Sequence, residues 1–115
     1  MLLVHYPKCT TCQKAKKWLQ DNDIQFEERD IKEHNPTKAE LIEWHKKSNL
    51  EIKRFFNTSG LIYKDLGLKD KLSTMNDDEK FEVLATNGML VKRPIIVADD
   101  FVLVGFKEST WEEKL

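Results

Sequence analysis

Long apolar runs are missing from this chain; none approaches the roughly 18 residues that a membrane-spanning helix needs. Met1-Leu-Leu-Val-His5 is too short for the core of a signal peptide, and no small-residue cleavage site follows it. The expected compartment is therefore the cytoplasm. Glycine and proline are scarce, 4 and 3 among 115 residues, while 40% of the chain is apolar. That balance excludes a disordered chain and fits a globular one. Net charge is nearly absent as well, −1 at neutral pH, which offers no general attraction to nucleic acid or to an anionic membrane. We take residues 1–115 as a single monomeric domain, large enough to bury roughly two-thirds of the surface its unfolded chain exposes.

Cysteine is scarce too, and here the scarcity is informative. Both cysteines, Cys9 and Cys12, lie in one stretch, HYPKCTTCQKAKKW, three positions apart. In a reducing compartment such a pair points to catalysis, redox sensing or metal binding more than to a permanent bridge. Zinc usually takes four ligands, and only this one CxxC and three scattered histidines, His5, His34 and His45, are present. Two ordinary half-buried cysteines with no chemistry remain the bland alternative.

The surrounding pattern gives the pair its setting. Leu2 to Tyr6 reads as a short buried strand closed by Pro7. From Thr10 to about Asn22, Cys12, Ala15, Trp18 and Leu19 share one helical face, leaving Lys14, Lys16 and Lys17 as a solvated one. Ile24 to Ile31 alternates as a second strand. Thr37-Lys-Ala-Glu40 has the form of a capping box ahead of Leu41, Trp44 and His45. Ile52, Phe55 and Phe56 suggest another helix with Gly60 past its end; Ile62, Leu66 and Gly67 suggest a short turn. Asn76-Asp-Asp-Glu79 opens a helix with Gly88 after its last turn. Pro94–Ala98 and Phe101–Val104 form a hairpin around Asp99-Asp100, and Ser109-Thr-Trp-Glu112 starts a last helix with a capping box. The three tryptophans read as core. This order predicts an α/β fold: a thioredoxin-like (glutaredoxin-like) mixed sheet, with a helical insertion, about 33–88, between the second and third strands.

In that fold Cys9 sits where a strand gives way to a helix. Free N–H groups and the positive helix end there favour thiolate over thiol. Lys8 pushes the same way. Cys12, one turn on and more buried, suits resolution of a mixed disulfide. Arg93-Pro94 is either an extended dipeptide that opens a strand or, with Arg93 as a fixed cation, a wall of the cysteine pocket. Lys8, Thr10, Thr11, Arg93 and Pro94 are the candidate substrate contacts, and Cys9, Cys12 and Arg93 the candidate catalytic set. No bound nucleotide or metal is called for.

Four segments taken together, YPKCTTCQKAKKWL, FFNTSGLIYKDLGL, GMLVKRPIIV and LVGFKE followed by Trp111, resemble the arsenate reductase-like ArsC/Spx family over essentially the whole chain. The resemblance implies the thioredoxin-like fold, a cis Arg93-Pro94 bond, Cys9 as nucleophile and Cys12 as its redox partner. It implies a thiol–disulfide or arsenate reductase-like redox protein, fed by a thiol reductant such as glutathione or a thioredoxin or glutaredoxin partner. Within the family the alternatives are a glutathione/glutaredoxin-dependent arsenate reductase and an Spx-type redox-switched regulator that binds the RNA polymerase alpha subunit. Family members that reduce arsenate surround the oxyanion with three arginines; here Asn57 and Gly105 align with two of those positions. Glu51 falls near a glycine of the polymerase-binding surface.

Overall fold

The computed structural model, which describes residues 1–115, is organised around β1 (Leu2–His5), an apolar strand paired on both edges. On one side it runs parallel to β2 (Glu27–Asp30). On the other it runs antiparallel to β3 (Ile95–Val97), which pairs in turn with β4 (Val102–Val104), giving the order β2-β1-β3-β4. Helix α1 (Thr10–Asp21) makes the crossover that parallel strands require. Between β2 and β3 come α2 (Lys38–Ser48), α3 (Leu61–Asp65), α4 (Leu68–Lys71) and α5 (Asp77–Ala85), with 3-10 turns at Ile52–Phe55, Leu72–Thr74 and Gly88–Leu90. Helix α6 (Glu108–Lys114) follows β4. This is the mixed, thioredoxin-like sheet with a helical insertion. No helix is long and apolar enough to cross a membrane.

Alternation along the strands splits the core in two. Leu3, Ile96 and Leu103 stand in register on one face, covered by Ala15 and Leu19 of α1 and by Trp111 of α6. Val4 and Ile95 point the other way, into a larger cluster with Leu41, Trp44, Phe55, Phe56 and Leu84 of the insertion. Each such aliphatic or aromatic side chain contributes about 1.5–3 kcal/mol by leaving water. The tryptophans are all packed. Trp44 and Trp111 are buried, and half-buried Trp18 meets Trp111 edge-on at 5.8 Å.

Arg29 fastens the insertion to the sheet. From β2 its guanidinium grips Glu40 of α2 through bonds of 2.6 and 2.9 Å and donates to the carbonyls of His34 and Asn35. Glu40 in turn completes the capping box with Thr37 that the sequence predicts. The second box, Asn76 with Glu79, forms as well.

Four local expectations are corrected. The second strand is shorter than Ile24–Ile31 because it pairs only along the four residues of β1, and Asp30 Oδ1 ends it by accepting from the N–H groups of Lys32 and Glu33. Gly60 precedes α3 instead of ending a helix: the chain leaves helical geometry after Phe55 so that Phe56 can bridge Val91. Gly88 is no helix cap, since α5 ends at Ala85 and Asn87 is already extended. Its lack of a side chain answers a close approach, because a Cβ there would lie 1.8 Å from the Ile31 carbonyl oxygen. Helix α6 begins before the Ser109–Glu112 box, as the N–H groups of Thr110 and Trp111 both reach Lys107 O at 3.0 Å.

Two predictions follow from this packing. Gly88→Ala forces two backbone segments apart and costs on the order of 3 kcal/mol, whereas Gly67→Ala costs about 1–2 kcal/mol, the strain of a left-handed residue (φ 64) with open space around it. Urea unfolding of the two variants checks the order, and a more stable Gly88→Ala refutes the close approach. The second concerns acid. Arg29, opposed by partial burial and helped by the Thr37 N–H, holds the Glu40 carboxyl down at about 2. A depressed carboxyl stabilises the fold above its unfolded value, and that contribution is lost as pH falls from 4.5 toward about 2. Glu40→Gln should remove about 1–2 kcal/mol at neutral pH, allowing for solvent screening, and flatten the acid limb of a stability–pH curve.

Candidate active site

Cys9 is the N-cap of α1, its backbone extended (φ −80, ψ 125) and its carbonyl accepting from the Gln13 N–H at 3.0 Å. The turn before it is held at two points. The Cys9 N–H donates to Tyr6 O at 2.9 Å, and Gln13 Nε2 donates to Pro7 O at 2.9 Å. The first N–H groups of a helix have no partner within it, and here the Cys12 N–H is directed to the Cys9 sulfur. Partial burial pushes the Cys9 thiol up. The Cys12 N–H, the Cys12 side chain and the Arg93 guanidinium outweigh it, leaving Cys9 below its ordinary value.

Cys12 is the opposite case. It belongs to the buried face of α1 with Ala15 and Leu19 and is fully shielded from solvent. Burial pushes its thiol up to about 12, with the neighbouring Cys9 adding to the rise and the backbone of Tyr6 opposing it. Both cysteines are free. One turn of helix therefore holds a thiol biased toward thiolate and a thiol held protonated.

Arg93 reaches this pair from the far end of the chain. Its peptide bond to Pro94 is cis, its guanidinium carbon lies 5.4 Å from the Tyr6 ring centroid, and its Nε and Nη1 are buried without an acceptor. Cys9, Thr11 and Arg93 all line one cleft of about 770 Å³. The other expected contacts lie elsewhere. Lys8 and Thr10 are exposed outside the cleft, and Lys8 is not among the groups that lower Cys9. Pro94 is buried behind the wall, its carbonyl accepting from the Gly105 N–H at 2.8 Å.

The cleft also contains residues that sequence reasoning passed over as cations: Arg54, Lys92 and Lys107. Lys92 and Lys107 lay in plain view beside Arg93 and within LVGFKE; Arg54 carried no signal. Asn57 and Gly105 line the same cleft. The histidines take no part. Buried His5 pairs with Glu28 at 3.0 Å, His45 packs edge-on against Phe55 and Phe81, and no three His, Cys, Asp or Glu side chains converge as a metal set.

Comparison with known proteins identifies the family to which the fold belongs. The model of the ArsC family matches residues 4–114. The uncharacterized protein YusI of Bacillus subtilis is 51% identical over 108 residues, covering 94% of this chain and 92% of that protein. The regulatory protein MgsR of Bacillus subtilis is 33% identical over 101 residues, covering 88% and 79%. The crystal structure of a putative ArsC family related protein from Bacteroides fragilis superposes with a TM-score of 0.95 at 54% identity, covering 97% of this chain and 94% of that one. A match over nearly every residue, on the same fold, leaves one conclusion: the chain belongs to the ArsC family.

Proposed function

We propose that this protein is a thiol–disulfide oxidoreductase in which Cys9 attacks and Cys12 resolves. The supporting observation is the placement of two free thiols one helical turn apart, Cys9 at the N-cap in the cleft beside Arg93 and Cys12 buried on the inner face of the helix. The Cys9 thiolate attacks a substrate disulfide R–S–S–R′. A Cys9–S–S–R bond forms, the substrate S–S bond breaks and R′–S⁻ leaves. Cys12 then gives up its proton and attacks the Cys9 sulfur; the Cys9–Cys12 bond forms as the bond from Cys9 to the R sulfur breaks, and R–S⁻ departs and takes up a proton as R–SH. The substrate gains two electrons and the pair loses them. A thiol donor, glutathione or a thioredoxin- or glutaredoxin-type protein, returns them.

The high Cys12 value does not block the second step. Burial is the main cause, but Cys9 itself supplies further upward pushes. Once Cys9 is tied up in a mixed disulfide its charge is gone, and Cys12 ionises more readily at the moment it is needed. Of the three arginines that the family resemblance sets around an arsenate oxyanion only Arg93 is kept, with Asn57 and Gly105 at the other two positions. Arg54, Lys92 and Lys107 bring positive charge to other parts of the lining and do not rebuild that arginine set, so arsenate is not the substrate this reading favours.

A second reading draws on the likeness to the regulatory protein MgsR: the same pair would act as a redox switch controlling contact with the RNA polymerase alpha subunit. Immobilised alpha subunit that retains neither the reduced nor the oxidised protein excludes it.

Two experiments test the leading reading. Cys9→Ser should abolish thiol-transfer turnover, and Cys12→Ser should accumulate a mixed disulfide at Cys9 visible by mass spectrometry; turnover persisting in Cys9→Ser sinks the mechanism. The pH profile supplies the other. Because Cys9 is lowered, its alkylation by iodoacetamide should reach half its plateau below the pH of an ordinary cysteine. Arg93→Gln removes one of the groups favouring thiolate, so the midpoint moves up. Reactivity below that midpoint then falls, by about tenfold per unit of movement. An unmoved midpoint removes Arg93 from the account.

A further inference from the structure

Every charged residue that lines the cleft beside Cys9 is a cation: Arg54, Lys92, Arg93 and Lys107. The chain as a whole has 20 acidic residues against 19 basic ones, so the composition does not dictate this. Nor does a basic run in the sequence. The four come from the turn after α2, from the approach to β3 and from the start of α6, and they meet only in the fold. None of them is engaged in an ion pair. Arg93 adds two buried donors, Nε and Nη1, that lack acceptors. Unmet donors of this kind are costly until an acceptor arrives.

The rest of the lining is uncharged. Ile62, Met89, Val104 and Phe106 give it apolar surface, and Leu61, 77% exposed, stands at its rim. A volume of about 770 Å³ is that of a site for a small molecule.

We infer that the cleft selects low-molecular-weight disulfides carrying negative charge, with Arg54, Lys92 and Lys107 as the specificity-determining cations. The inference rests on the oxidoreductase reading and deepens it. The anionic groups of R–S–S–R′ are drawn to the rim and hold the S–S bond over Cys9. The chemistry is that already given: Cys9–S–S–R forms as R′–S⁻ leaves, then Cys9–Cys12 forms as R–S⁻ leaves. In a single turnover the reduced pair is the only reductant required. Cations grouped in a cleft raise the local concentration of an anion and its rate of arrival by about tenfold or more at low salt. Molar salt, with a screening length of about 3 Å, removes most of that advantage.

The test uses the reduced full-length protein and three disulfides of similar size: 3,3′-dithiodipropionate (a dianion), bis(2-hydroxyethyl) disulfide (neutral) and cystamine (a dication). Each rate of Cys9–Cys12 oxidation is divided by the rate of the same disulfide with a small neutral thiol, which removes intrinsic reactivity. The corrected rates should fall from dianion to neutral to dication, with about tenfold between the first two at low salt and near parity at molar salt. Lys92→Ala combined with Lys107→Ala should bring the dianion preference down severalfold. Lys69→Ala combined with Lys80→Ala removes the same charge outside the cleft and should leave the preference standing. Equal corrected rates overturn the inference, as does a preference lost equally in both double variants. A preference confined to acidic protein disulfides overturns the small-molecule assignment. If the neutral disulfide oxidises the pair without charge selectivity, the oxidoreductase reading survives alone; if no disulfide oxidises it, both fall.

Discussion

The antiparallel pairing of β1 with β3 is the constraint on which the site depends. Val4 lies opposite Ile95, so continuing both strands outward sets the stretch leading to Cys9 against the stretch leading back to Arg93. That is why the Arg93 guanidinium sits over the Tyr6 ring and acts on the Cys9 sulfur although most of the chain separates them. Loop-closure entropy grows only slowly with length, so a long helical insertion between β2 and β3 is compatible with this pairing. The insertion is then stitched back to the same end: Phe56 bridges Val91, the Asn57 N–H donates to Leu90 O at 2.7 Å, and the Lys92 N–H donates to Phe55 O at 2.8 Å. Those bonds deliver Arg54 and Asn57 to the cleft.

The three-residue spacing of the cysteines has a simple physical meaning in this frame. Cys9 at the N-cap meets a free N–H and a cation while remaining partly open to solvent. Cys12 falls on the face that Ala15 and Leu19 continue, so the packing that secures α1 to the sheet is the packing that desolvates its thiol. Opposite environments arise from one helix start, with no separate device for each.

Much of the fold was legible in the sequence because its signals are local. The capping boxes at Thr37–Glu40 and Asn76–Glu79, the helical stripe through Cys12, Ala15 and Leu19, and the apolar hairpin all report on neighbours within a few residues. The errors fall where a distant contact decides. Gly88 is read as a cap until the Ile31 carbonyl is seen against it, and Gly60 ends no helix because Phe56 has a partner in Val91. At the site, Cys9 and Cys12 announce themselves by spacing, and Arg93 stands out beside its proline. Arg54 could not be found this way, because its place in the cleft depends on the distant ties of Phe55, Phe56 and Asn57 to the stretch Leu90–Lys92. Lys8 misled for the converse reason: adjacency in sequence placed it near Cys9, yet the turn from Tyr6 sends it to solvent.

The same cations that shape the cleft bear on the energetics of the proposed redox cycle. A thiolate stabilised by Arg93 and a helix start is a weaker intrinsic nucleophile than an ordinary one. Nucleophilicity falls with a Brønsted coefficient of only about 0.4–0.5, however, so below the thiol's ordinary value the gain in thiolate fraction prevails. Stabilising that thiolate also stabilises the reduced protein relative to its Cys9–Cys12 disulfide, which makes the disulfide more oxidising and easier for a thiol donor to reduce. Oxidation removes the Cys9 charge while the surrounding cations stay, so the cleft is most positive when the pair is oxidised. An anionic thiol arriving as donor would then meet the strongest attraction in the state that needs it, and would meet the Cys9 thiolate's repulsion once reduction is complete. Charge in the cleft thus links attack, recognition and release through a single side chain, Cys9, whose position is set by the meeting of β1 and β3.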